Sequence, residues 1–166
     1  MKLNIRELVL LSLLAALLLV GQVALAVLPN IEVVSLLIII YTLFFKKKTL
    51  YVIYLFALLE GLIYGFGTWW IMYLYVWTIL WGITILLQKE KSPVIWAFVS
   101  GFFGLAYGTL CSVPYFFIGG VKTGLAWIAG GLLFDVTHGI SNFLIALVLF
   151  KPLYLGFQKV YQQFGE

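Results

Sequence analysis

Charge is what this sequence has least of. Of its 166 residues only 10% are Asp, Glu, Lys or Arg, against roughly 25% in a water-soluble domain. That is too little polar side chain to cover a water-facing surface, so an ordinary soluble domain is excluded. Cysteine is nearly absent as well. Cys111 stands alone, which rules out a disulfide within the chain and a thiolate metal cluster. His138 is the single histidine. A Cys/His metal centre therefore lacks ligands, and a hydrolase lacks the nucleophile with its base or metal-bound water. No metal, no cofactor and no enzymatic activity are expected. No Gly-x-x-x-x-Gly-Lys-Ser/Thr loop occurs, so the chain does not hydrolyse ATP by that route.

What is present is apolar. Hydrophobic residues make up 64% of the chain, and the mean hydropathy is +1.15. The apolar runs are continuous, not alternating, which favours helices over barrel strands. A bilayer core of about 30 Å needs about 20 such residues in a helix. The sequence predicts one all-α membrane domain over 1–166, with six transmembrane helices at 8–28, 31–45, 49–64, 69–87, 94–118 and 125–150. The first run is long enough to span and no small-residue cleavage site closes it, so it reads as a retained helix.

The net charge of +4 carries no sign of a nucleic-acid partner, because the cations sit at helix ends and not on one face. Lys2, Arg6, Lys46, Lys47, Lys48, Lys89, Lys91, Lys151 and Lys159 fall on one side of the predicted bundle, and Lys122 alone on the other. Cytoplasmic loops carry the Lys/Arg excess, so both termini are expected inside. The short connections 29–32, 65–70 and 119–124 then lie outside.

Glu60, Asp135, His138 and, at a span margin, Glu32 are ionisable residues within or beside these runs. A carboxylate in hydrocarbon costs at least a few kcal/mol, so such residues face cavities or partners. Asp135, His138 and Asn142 share one helix face by their spacing. They read either as the lining of a ligand cavity or as a hydrogen-bond network that fixes helix packing. Tyr73, Trp77 and Trp81, below Trp70, repeat every fourth residue, as do Tyr107, Cys111 and Tyr115. Such stripes pack or stack. Because both approach the half that holds Glu60, the expected pocket for a ring-bearing ligand comprises Glu60, Tyr64, Trp70, Tyr73, Trp77, Tyr115, Trp127, Asp135 and His138. Small residues recur at four-residue spacing at Ser100, Gly104 and Gly108, and again at Ser12 and Ala16, which permits close helix contacts.

The basic start with Arg6-Glu7, the helix count and the missing ATPase motif resemble the substrate-binding (S) components of energy-coupling factor (ECF) vitamin transporters. The stretches Leu28-Pro29-Asn30-Ile31-Glu32, Glu60-Gly61-Leu62-Ile63-Tyr64-Gly65-Phe66-Gly67 and Cys111-Ser112-Val113-Pro114-Tyr115-Phe116 are similar to a Firmicute branch of them. The resemblance implies a multi-pass protein of a Gram-positive cell membrane. It also implies partners, a membrane scaffold subunit and two cytoplasmic ATPases, with the S component toppling in the membrane to release its vitamin. It places Ser12 and Ala16 at a degenerate form of the family's Ala-xxx-Ala docking motif. Cobalamin is the leading substrate it suggests, with a pyridoxine- or hydroxymethylpyrimidine-type ring as the alternative. A non-transporting membrane scaffold is the reading of another class.

Overall fold

The computed structural model describes residues 3–164, and among these every regular element is helical. Lys2, one of the nine cations assigned to a single side, lies outside the described residues.

Helix α1 (Ile5–Ala24) starts at a reciprocal cap. The Asn4 side chain accepts from the Glu7 N–H at 2.8 Å, and the Glu7 carboxylate accepts from the Asn4 N–H at 3.2 Å. It buries Leu11, Leu14, Ala15 and Leu18 and leaves Leu13, Leu17 and Val20 exposed. Helix α2 (Val34–Phe45) is the centre of the bundle, and Val34 through Thr42 are buried apart from Leu37. A 3-10 turn at Lys46–Lys48, with Lys46 at φ +49°, delivers the chain to α3 (Thr49–Tyr64). Helices α4 (Thr68–Leu86) and α5 (Pro93–Cys111) follow, and α6 (Val113–Phe164) completes the fold. The helices α1, α4, α5 and α6 are each long and apolar enough to cross a membrane, and their outward faces are apolar. They are compatible with a multi-pass membrane protein. Helices α2 and α3 have 12 and 16 residues.

Two boundaries differ from the sequence reading. The predicted helix 94–118 stops at Cys111 and restarts at Val113, with Pro114 in the new first turn. A proline ring fits a first turn and clashes in a helix interior. Helix α6 is then broken at Gly120, whose φ of +72° lies where glycine alone is comfortable. Its short arm 113–119 folds back on the long arm 121–164, and Tyr115 stacks on Trp127 with ring centroids 3.9 Å apart.

The long arm also runs on through Pro152, past the predicted end at 150. Tyr154, Phe157 and Tyr161 pack their rings against Phe44 of α2 at 5.0, 6.3 and 5.6 Å. That packing outweighs the backbone bond proline cannot make.

Small residues bring α5 and α6 together. A Cβ on Gly104 would lie 2.8 Å from the His138 carbonyl oxygen and 2.9 Å from the Gly139 Cα. The stripe of Ser100, Gly104 and Gly108 thus finds its partner helix within this chain. At one end of the bundle the cations gather. Lys48 pairs with Glu7, and the Trp81 indole N–H donates to the Lys46 carbonyl at 3.0 Å. The opposite end holds a cavity.

Candidate ligand cavity

The last turn of α1, the connection 25–33, the end of α3 and the first turns of α4 line a half-open cavity of about 400 Å³, together with Tyr107 of α5 and His138 of α6. Tyr64, Trp69, Tyr73, Trp77 and Tyr107 supply its aromatic wall. Their four-residue spacing on α4 puts Trp69, Tyr73 and Trp77 on one face. Tyr73 meets Trp69 and Trp77 edge to face, at 5.3 Å and 88° and at 5.5 Å and 83°. Gln22 of α1 donates to the Tyr73 hydroxyl at 3.2 Å, which ties the first helix to this wall.

Two carboxylates face the space in different states. Glu32 is held at both oxygens. Oε2 accepts from the Ser35 N–H at 2.8 Å and so caps α2, and Oε1 lies 3.3 Å from His138 Nε2. An ionised carboxylate only accepts, so Nε2 carries the shared proton and donates. Burial works against the Glu32 charge, but the hydrogen bonds from His138 and Ser35 prevail and hold the group below the ordinary carboxylate value. Glu60 is only 2% exposed, and its Oε1 has no partner. The Trp77 indole N–H and His138 Nδ1 are also buried without partners.

Of the residues expected to form a pocket, Glu60, Tyr64, Tyr73, Trp77 and His138 line this cavity. The others serve elsewhere. Trp70 turns its indole N–H to the Ala57 carbonyl at 2.8 Å and lies edge-on to Phe66. Tyr115 and Trp127 stack on each other in the α6 turn. Asp135 occupies the notch left by the missing Cβ of Gly108 and accepts from its N–H at 2.8 Å, so it staples α5 to α6. The polar face of α6 is therefore divided: Asp135 holds α5, His138 faces the cavity, and Asn142 donates to Ser35 Oγ of α2 at 3.2 Å. Ser12 and Ala16 lie half-buried on the flank of α1, away from the cavity.

Sequence reasoning left Gln22, Trp69 and Tyr107 out of the pocket and gave Glu32 no role. Tyr107 stood in a noted stripe, and Trp69 continues the helix-4 stripe one turn upward. Glu32 carried its own signal, an acidic residue three positions before Ser35 at the start of an apolar run. Compared with known proteins, the chain matches no family model, no curated protein and no solved structure.

Proposed function

We propose that this chain is the substrate-binding membrane subunit of an ECF-type ABC importer that takes up a vitamin. The observation that carries the reading is an aromatic-walled cavity, with an unpartnered carboxyl oxygen on its lining residue Glu60, at one end of an apolar helical bundle. Such a unit captures a ligand but holds no nucleotide motif, so the work of import falls to a membrane scaffold subunit and two cytoplasmic ATPases. Six spans are part of the proposal. Helix α2, sheathed by protein on nearly every face, is relieved of matching the lipid thickness. Arg6, Lys46–Lys48, Lys89, Lys91, Lys151 and Lys159 lie at the cytoplasmic end with both termini, and the cavity opens outside.

A cavity of about 400 Å³ displaces roughly a dozen waters at about 30 Å³ each. That room suits a one- or two-ring vitamin such as pyridoxine or hydroxymethylpyrimidine. Cobalamin would insert one edge only, unless the 25–33 connection moved aside. The test is uptake into vesicles of labelled pyridoxine, hydroxymethylpyrimidine and cobalamin. Accumulation is expected only when scaffold and ATPases share the membrane with this chain. ATP-driven accumulation by the chain alone would refute the reading, and failure of all three vitamins to bind would favour a non-transporting scaffold.

A further inference from the structure

The cavity has an electrical character that its volume does not convey. None of its described lining residues is Lys or Arg, while Glu32 and Glu60 both face it. A charged His138 would offset Glu32, which leaves Glu60 as the lining carboxyl with no ion-pair partner among the described residues. The partnering sharpens this. Glu32 is already engaged by His138 and Ser35, but Glu60 Oε1 is buried and free. A positive group brought beside it by a ligand would give this buried carboxyl the counter-charge it lacks.

The wall points the same way by separate means. Trp69, Tyr73 and Trp77 stand nearly perpendicular to one another in succession, so ring faces and edges meet the cavity from several directions. Walls of this kind, with a carboxylate beside them, attract a positive nitrogen through the ring quadrupoles and reject an anion. Resting on the reading of this cavity as the transported ligand's site, we infer that it selects a small organic cation, a flat ring carrying a positively charged or protonated nitrogen directed at Glu60.

Three probes of one shape separate charge from fit: 1-methylnicotinamide, a cation; 3-methylbenzamide, its neutral carbon counterpart; and 3-methylbenzoate, an anion. Titration calorimetry on the whole chain in nanodiscs should show the cation binding at least tenfold tighter than the neutral probe, with the anion weakest. Glu60→Gln should shrink the cation-to-neutral ratio to within threefold. Equal binding of cation and neutral probe, tighter binding of the anion, or no binding of the cation would each overturn the inference. The wild-type comparison needs no variant, so misfolding of Glu60→Gln would not spare it. Energised uptake of an anionic vitamin would also overturn the cation selection, yet leave the importer standing. Tenfold cation preference in a chain that supports no uptake with its partner subunits would uphold the selection and sink the importer.

Discussion

At Gly104 an added Cβ would meet the His138 carbonyl and the Gly139 backbone at under 3 Å, while at Gly82, inside α4, it would meet nothing within 4 Å. Backbone atoms cannot step aside as a side chain does, so Gly104→Ala must push α5 and α6 apart. We expect it to destabilise the protein by about 1–3 kcal/mol. Gly82→Ala should instead stabilise it by up to about 1 kcal/mol, because alanine is the better helix former. Thermal unfolding in detergent decides between them, and equal effects would mean the helix crossing yields more easily than its backbone contacts imply. Adjacent tryptophans divide in a similar way. Trp69 lines the cavity, whereas Trp70 spends its N–H on Ala57. Stacking on a ring contributes about 0.5–1.5 kcal/mol, so Trp69→Ala should weaken vitamin binding by up to about tenfold. Trp70→Ala should lower the melting temperature and leave the Kd within about twofold. The opposite pattern in binding titrations would return Trp70 to the pocket.

The connection between α1 and α2 lines one side of the cavity, and it is pinned to α6 by two side chains. Ser141 donates to the Asn30 carbonyl at 2.7 Å, and His138 donates to Glu32. The Glu32 carboxyl titrates below its ordinary value in the folded chain, so its stabilising contribution is complete above the unfolded-state pKa. It is lost as pH falls through the folded-state value. Between about pH 5 and pH 3, spanning the carboxylate range, the wild type should lose more thermal stability than Glu32→Gln, which has no such charge to lose. Parallel declines would mean that Glu32 does not fasten this connection. This pairing also shows why part of the site escaped the sequence. Glu32 and His138 are 106 positions apart, and no local periodicity connects them. Helix α3 was legible to the residue, since the lysine turn and Gly65 bound it on either side. The continuation of α6 beyond Pro152 was not, because its cause is a contact between rings of two separate elements. Glu60, Tyr73 and Trp77 were readable as cavity-lining residues from a carboxylate in an apolar run and a four-residue repeat. Asp135 gave the same kind of signal, but it lies outside the cavity lining and accepts from the Gly108 N–H. A buried carboxylate announces a partner, and the partner in that case was a backbone N–H.

Over the whole molecule, the proposed importer would bind and couple through different surfaces. Helix α1 contributes Gln22 and Leu25, from its end and cap, to the cavity, while Leu13, Leu17 and Val20 form an outward apolar face farther down. Ser12 and Ala16 border that face, half-buried. A scaffold helix could lie closest to α1 along this border, where the side chains are smallest. Ala16 is six residues from Gln22, about 9 Å at 1.5 Å per residue. A bulky group there would therefore obstruct a partner helix before it disturbed the cavity. Ala16→Trp should abolish energised uptake in vesicles that contain scaffold and ATPases, while the isolated chain keeps its Kd for the vitamin within about twofold. Co-purification with the scaffold subunit should fail in the same variant, which distinguishes blocked assembly from a stalled transport cycle. Uptake that survives the substitution would move the docking surface off this flank of α1. A lost Kd with intact assembly would mean that α1 transmits strain from its outward apolar flank to the cavity, and the separation of the two surfaces would then be wrong.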